Sequence, residues 1–422
     1  MPPSGRRSGV CAAAFALAFL LRLAYAPFAP LPFDGVYWDL SSSLLANGSL
    51  ALDGVRTTSY GLGYPAFLAL ARLAGRDHFA VVLCLQIAGA SLGAPLLFLL
   101  AEALGASRRA AAIAALLFAA YPLLIRHAVS HSPLWLTTTM LVGFAHAFVT
   151  ARTPARMAMA GVWLGLALLT RSATAPILVL ALALLAYEQR WVPAAVLAAT
   201  TAAMFAPFVV RSYALDGAVV PTRSGLNLFV GNSRYAAQLL PKDDPDLLQD
   251  YAEGLVERER PDLNLDAMVD EHEADRYLAK RAWDDMRRDP LRTLEQKAAN
   301  VAYFFWPRLV PWRVRGDDTR LVVGPDDHVT VVDSHPRALI EELGYSVPYA
   351  FVLLGAVAGV LMRRRALGRD AILWCMLGTF VAVHAIYFPG TRYRSPVEFV
   401  LLFYAAVAAD AWWGRAHLRR SG

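Results

Sequence analysis

Long apolar stretches recur along almost the whole chain, and they limit its fold more than any motif does. Stretches of about 17–25 residues are long enough for a helix to cross about 30 Å of hydrocarbon. They occur near 9–29, 79–104, 108–125, 133–150, 157–170, 172–188, 192–210, 346–362, 371–388 and 397–413. With 57% hydrophobic and 18% charged residues, and a mean hydropathy of +0.41, the chain is too apolar for a water-soluble globule. The expected fold is a polytopic α-helical membrane protein with about ten transmembrane helices. The fifth and sixth are short, a hairpin that barely crosses.

Arginine sets the expected orientation. Arg6, Arg7, Arg108, Arg109, Arg152, Arg156, Arg190, Arg363, Arg364, Arg365, Arg369, Arg415, Arg419 and Arg420 fall on alternate connections. That makes their side cytoplasmic, with both chain ends inside. These arginines supply most of the formal +6 charge; they suit anionic lipid head groups, and no basic stripe with interleaved aromatics suggests nucleic acid. Cys11, Cys84 and Cys375 lie far apart in apolar spans, which indicates neither a disulfide framework nor a thiolate metal site. Arg6 and Arg7, the apolar run and Ala24-Tyr25-Ala26 also fit a signal peptide cleaved after Ala26, although the run is long for one.

The composition divides the chain into 1–210, with seven spans and a first outer loop at 30–78; 211–345, a soluble outer segment; and 346–422, with three spans and a cytoplasmic tail. Residues 211–345 carry 25 Asp and Glu against 18 Lys and Arg, most of the acid in the protein. In that segment, Asp289-Pro290 reads as the start of a helix with Leu294, Ala298, Val301 and Phe305 on one stripe. The helix runs into an interfacial aromatic cluster, Tyr303 to Trp306 with Trp312. The stretch 262–288 also reads as helical, whereas 216–235 and 321–333 read as strand and turn. In the first outer loop, Val36, Leu40 and Leu44 recur at helical spacing, Ser41–Ser43 are expected to face away, and Asn47-Gly48 supplies a stop. This is expected to be a short interfacial helix with Asp34 at its entrance.

Asp34 has two readings: N-cap of that helix, or general base that takes a proton from a hydroxyl nucleophile. Asp39, five residues on, points about 140° away on a helix, which sets it apart from the same site. Thr391-Arg392-Tyr393-Arg394-Ser395-Pro396 brings two arginines to the outer boundary of the last span. They can clamp a phosphate or pyrophosphate, or snorkel to head groups, or Arg394 can pair with Glu398 one turn on. Arg171, at the tip of the short hairpin, needs a partner in the same way. His127 and His131 stand four residues apart and could share a metal, but no third ligand is evident and no metal or other cofactor is expected. There is no defensible Ser-His-Asp set, Walker loop or dinucleotide fingerprint.

Taken in order, these residues resemble the GT-C class of membrane glycosyltransferases, in particular bacterial relatives of protein O-mannosyltransferases and of the lipid A aminoarabinose transferase (a family 39-like pattern). Asp34-x-x-Tyr37, followed by Leu44-Leu45-x-Asn47-Gly48, is similar to the first-loop motif of that class. Gly63-Tyr64-Pro65-Ala66-Phe67-Leu68, Tyr121-Pro122-Leu123, Leu168-Leu169-Thr170-Arg171, Gly225 to Asn232 and Arg392-Tyr393-Arg394-x-Pro396 fit its later motifs. The resemblance implies an inverting transfer of a sugar from a polyprenyl-phosphate donor to an acceptor hydroxyl, on the outer side of the cytoplasmic membrane. Asp34 would be the base and Arg171, Arg392 and Arg394 the donor-phosphate contacts. Tyr37, Asp39, Arg56, Tyr60, Tyr64, Asn232 and Tyr393 are further candidates for the substrate site. The partners implied are the lipid-linked sugar, an acceptor glycan, lipid or protein, and membrane lipid.

The chain departs from the pattern in three places. Gly35 replaces the motif's second acid, Tyr60-Gly61-Leu62 replaces a Lys-Pro-Pro and leaves Arg56 as the conceivable substitute for its lysine, and Ser132 stands where many relatives carry an acid. Two other readings compete: an O-antigen ligase or polymerase, or a flippase of lipid-linked sugars. The flippase predicts ionisable residues midway through spans, whereas here the charges gather at the outer face except for Arg22.

Overall fold

A computed structural model describes residues 4–28, 35–217, 223–263 and 270–420. Asp34 lies outside the described residues. The chain is a membrane-embedded helical bundle carrying a smaller segment between Trp191–Leu215 and Leu339–Met362, named the outer segment for the side expected of it. Arg7–Phe28, Phe79–Ala103, Trp191–Leu215, Leu339–Met362 and Thr391–Gly414 are long and apolar enough to cross a bilayer. Arg108–Ala120 and Pro122–Val129, bent by 50°, make a sixth crossing if taken as one. Leu134–Thr150, Pro154–Thr170, Ser172–Tyr187 and Ala371–Ile386 are apolar but shorter, spanning at most about 26 Å at 1.5 Å per residue. By length alone, five or six crossings are therefore present among the described residues. The shortness has a packing counterpart: Leu134–Thr150 buries 13 of its 17 residues, so protein surrounds it and the thickness of lipid does not dictate its length.

The bend falls at Tyr121-Pro122. Tyr121 is extended, with ψ 118°, as the residue before a proline tends to be, and the break removes helical partners from nearby carbonyls. Arg22, buried within the first span, donates from Nη1 to the Ala18 carbonyl (3.0 Å) and across to the Ala119 carbonyl (3.3 Å). Its position is thus explained by a broken helix that needs a donor.

Basic residues tie one end of the bundle together. Arg7 pairs with Glu102 at 2.7 Å, Arg109 pairs with Asp410, Ser107 bonds Asp410 at 2.6 Å, and Arg363 pairs with Asp370 at 2.7 Å. These residues flank span ends that the alternating connections assign to one side. At the opposite ends lie the first loop, the hairpin tip at Arg171, the outer segment and the last loop.

In the first loop the helix runs from Val36 to Asn47 and stops at Gly48, whose N–H reaches the Leu44 carbonyl. Its N-cap is Gly35; the capping reading of Asp34 falls on a residue outside those described. Gly35 has φ +100°, a region that side chains disfavour; this accounts for a glycine in place of a second acid. The serines do not face solvent as expected. Ser41 is buried, and Ser41 and Ser42 both accept from Arg72 Nη1 at 2.8 Å, which lies over the Trp38 ring.

The outer segment has its own apolar core, built from Leu226, Phe229, Leu247, Leu248, Leu255 and Leu278 among others. Asp246–Glu259 and Glu271–Arg288 are helices, and Arg313–Val323 pairs antiparallel with Val329–Pro336. Where strand and turn are expected across 216–235, the described residues form a helix, Ser224–Asn232. Its first turn receives the Asp275 carboxylate, Oδ1 accepting from the Leu226 N–H at 2.8 Å, a partner 49 residues away that local composition does not reveal. Pro290–Phe304 starts as expected, with the Asp289 side chain accepting from the Arg292 N–H. Its buried face, however, is polar: Gln296 reaches the Gly231 carbonyl and Asn300 the Ala385 carbonyl. Leu291 and Leu294 point outward.

Candidate functional site

Three loops meet at the end of the bundle away from the ion pairs of Arg7, Arg109 and Arg363, and glycine lets them approach. A Cβ on Gly61 would sit 2.5 Å from the Leu169 carbonyl oxygen. The 60–63 turn is therefore pressed against the tip of the hairpin at Leu169-Thr170. Tyr37, on the first turn of its helix, packs edge-on against Tyr60 (5.9 Å between centroids) and Tyr64 (5.2 Å) and contacts His131 (6.0 Å). The Arg171 guanidinium lies 5.3 Å from the Tyr393 ring centroid, and Tyr393 in turn stacks on His384 at 5.0 Å. The first loop, the hairpin tip and the last loop thus form one aromatic cleft.

The arginines divide by partner. The Arg171 guanidinium makes no hydrogen bond or ion pair among the described residues; its neighbours are the Tyr393 and Tyr37 phenols and Arg392. Arg392 donates from Nη2 to Asp246 Oδ1 of the outer segment and to the Tyr393 hydroxyl, both at 2.7 Å. Arg394 is turned away from the cleft. It is 3% exposed, bonds Glu398 Oε1 at 2.5 Å and the Phe304 and Trp306 carbonyls at 2.9 and 3.1 Å, and has the Tyr349 ring centroid 3.5 Å from its guanidinium. All of this occupies the fork that the sequence reading offered to a phosphate.

The sequence reading missed Arg223. It precedes the Ser224–Asn232 helix in the outer segment, and its guanidinium lies 4.8 Å from the Tyr60 ring centroid. No motif marks it; only the fold brings it to the cleft. Burial pushes the Tyr37 phenol up in pKa, and the positive charges of Arg171 and Arg223 pull against that shift. Tyr60 is likewise raised, first by burial, with Arg223 opposing. Beneath Arg392, the Asp244 carboxyl is raised by burial and then by the neighbouring Asp246.

Other candidates lie elsewhere. Asp39 is exposed on the first-loop helix, and Arg56 is exposed on a two-residue strand paired with Ala51–Leu52. The Tyr64 hydroxyl donates to Gln86 Oε1 at 2.9 Å, and Gln86 Nε2 donates to the Ala128 and Ser130 carbonyls; this network fastens the cleft wall. Asn232 Nδ2 bridges the Leu228 and Ile386 carbonyls. Glu271 accepts from the Thr57 hydroxyl at 3.0 Å, a second link between the first loop and the outer segment.

His127 and His131 do not make the one-turn pair that a shared metal needs, because the helix carrying His127 ends at Val129. His131 packs on Tyr37 and Tyr64, whereas the charges around His127 are Arg126, Arg392 and Arg171. Three cations repel a divalent ion, and no group of three His, Cys, Asp or Glu suited to a metal occurs among the described residues. The described donor set does not fit a metal centre.

No family model matches the sequence, and no curated protein matches it. Among solved structures, the archaeal oligosaccharyltransferase AglB from Archaeoglobus fulgidus, in complex with an inhibitory peptide and a dolichol-phosphate, aligns with a TM-score of 0.54 at 15% identity over 98% of this chain and 51% of that one. The same enzyme tethered to an acceptor peptide gives 0.52 at 15% identity, over 99% and 51%. The chain thus spans about half the length of these proteins. ArnT from Cupriavidus metallidurans bound to undecaprenyl phosphate aligns at 0.41 and 13% identity, over 97% of this chain and 79% of that one, a likeness too weak to define a fold. The oligosaccharyltransferase alignment takes in nearly every described helix, and on it the chain shares the fold of the matched half of that protein.

Proposed function

We propose that the protein is an inverting glycosyltransferase that moves a sugar from a polyprenyl-phosphate donor to an acceptor hydroxyl on the outer side of the cytoplasmic membrane. The observation that carries this reading is the cleft in which Arg171, without an ionic partner among the described residues, faces Tyr37 and Tyr393. An anion is the partner such a half-buried guanidinium lacks. The fold supports it, since the oligosaccharyltransferase that shares it was observed with a dolichol-phosphate.

In this reading the four short apolar helices also cross, which gives ten spans, with the arginine-rich end in the cytoplasm. Residues 1–210 and 346–422 form the membrane portion, and 211–345 lies outside and selects the acceptor. The Asp34 carboxylate accepts the proton of the attacking hydroxyl. Arg171 holds the donor phosphate, joined by Arg392 once the phosphate displaces Asp246. The leaving group is already an anion, so it needs charge stabilisation and no proton, and one base suffices. Arg394 takes a positioning role, fixing the last loop through Glu398.

The decisive experiment is mass spectrometry of membrane lipids from a deletion strain. A polyprenyl-phosphate sugar that accumulates there, and disappears on complementation, is the expected result. An unchanged lipid-linked pool, together with a purified protein that binds no polyprenyl phosphate, would refute the assignment.

A further inference from the structure

The bent span and the span Leu339–Met362 enclose a second groove, which none of the cleft residues lines. Its volume is about 580 Å³, within the range of ligand pockets, about 300–1,000 Å³. Pro122, Pro348, Phe351, Val352 and Gly355 are among the residues that make its walls apolar. One helical stripe leads out of it, because Pro348, Tyr345 and Glu341 follow at spacings of three and four residues. On the opposite wall Arg126 stands one turn beyond Pro122. The groove therefore has a polar end.

At that end two guanidiniums share one carboxylate oxygen. Glu341 Oε1 accepts from Arg126 Nη1 at 2.8 Å and from Arg337 Nη1 at 3.0 Å. Arg126 also lies 5.5 Å from the Tyr345 ring centroid, and the Tyr345 and Tyr25 hydroxyls are 3.4 Å apart. Glu342 is taken by Arg308 at 2.8 Å, and Asp244, which acts on Arg337 from farther off, is answered by Arg392 and Arg315. Arginine thus outnumbers carboxylate at contact distance. Arg337 is held by the Pro311 carbonyl as well, whereas Nε and Nη2 of Arg126 make no hydrogen bond among the described residues, on a side chain 38% exposed. Guanidiniums that reach one oxygen also reach one phosphate.

A cationic end above an apolar groove matches the form of a lipid. Leu339, Ile340, Leu343 and Phe351 are exposed on the same helix, so this face of the bundle meets hydrocarbon. The depth agrees: the rise from Tyr345 to Gly355 is about 15 Å at 1.5 Å per residue, half of a hydrocarbon core of about 30 Å. Basic pockets between transmembrane helices select anionic head groups. We propose that the groove holds an anionic phospholipid of the leaflet on the Arg126 side, with its phosphate on Arg126 and Arg337 and one acyl chain along Pro348, Val352 and Gly355. This lipid ties the break at Tyr121-Pro122 to the span Leu339–Met362. It is a resident of the fold and not the sugar donor.

The test is native mass spectrometry of the delipidated full chain, titrated with phosphatidylglycerol or phosphatidylcholine of the same chain length. The native protein is expected to bind one phosphatidylglycerol about fivefold more tightly, the scale of one basic residue acting on anionic lipid. Arg126→Gln is expected to bring the two lipids within about twofold. Ala120→Phe, at an exposed position on the groove wall, is expected to weaken both by at least about fivefold while keeping their ratio, and it carries the test if the glutamine variant does not fold. Equal affinities in the native protein, or a preference that survives Arg126→Gln, would show that the arginines only tie helix ends together. Competition by inorganic phosphate, with no effect of Ala120→Phe, would leave an anion site without a lipid chain. Displacement of phosphatidylglycerol by an equal or lower concentration of undecaprenyl phosphate would give the groove to the donor. Each of these three results overturns the inference, and none of the first two touches the transferase reading.

Discussion

Arg394→Ala separates the two arginines of the Arg392-Tyr393-Arg394 motif. Arg394 and Glu398 are 3% and 1% exposed, and the pair is closed at 2.5 Å with two further bonds to the Phe304 and Trp306 carbonyls. Removing the guanidinium leaves a buried carboxylate without its counter-charge, a loss of about 3–5 kcal/mol. The two carbonyls lose donors as well, so the upper half of that range is expected. If both residues become leucine no charge is stranded, and the double variant is expected to be more stable than Arg394→Ala by at least about 2 kcal/mol. Arg392→Ala, by contrast, breaks a pair that is 40% and 31% exposed and is expected to cost at most about 1 kcal/mol, although it weakens the binding of lipid phosphate. Reversible SDS titration of the purified protein in mixed micelles measures all three. A loss below about 1 kcal/mol for Arg394→Ala, or a double variant less stable than the single, would show that the pair does not hold the last loop.

Asp34→Asn is expected to lower turnover by at least about 10²-fold, the usual scale for a lost general base, with normal expression and lipid binding; near-normal transfer would remove Asp34 from the chemistry. Gly61→Ala drives a methyl group against the Leu169 carbonyl oxygen 2.5 Å away, so a loss of about 1–3 kcal/mol is expected, together with weaker lipid-phosphate binding as the turn and the hairpin tip that carries Arg171 are pushed apart. Native-like behaviour would mean the turn has slack. Asp317→Cys, at an exposed position of the outer segment, should label with an impermeant thiol reagent in intact spheroplasts, and labelling only after lysis would invert the proposed topology. Transfer should persist in EDTA, because arginines and not carboxylates surround His127; a loss restored by a divalent ion would contradict that.

Much of this architecture follows from local chemistry. Apolar runs of bilayer length can only become helices, and their positions match the described helices to within a few residues. The stop at Gly48, the start at Asp289-Pro290 and the break before Pro122 are equally local, since each depends on one residue's backbone freedom or missing N–H. The motif order pointed to the fold for the same reason: Arg171 and Arg392 each sit at the end of an apolar helix that hydropathy locates. The error at 216–235 shows where such reading stops, because a carboxylate 49 residues away outweighs a Val, Gly and Asn composition that favours strand and turn.

Long-range geometry decided the rest. Arg392 and Arg394 are two residues apart and read alike in the sequence, yet one reaches the cleft and the other closes a buried pair, because adjacent side chains of a helical turn point in different directions. Arg223 carries no motif and enters the cleft only because the outer segment folds back over the first loop, held there by Glu271 and Asp246. Chain order and hydropathy therefore determine which helices form and which ends share a side. Which guanidiniums keep a free charge depends on carboxylates far away in the chain, and only the packed structure fixes where those lie.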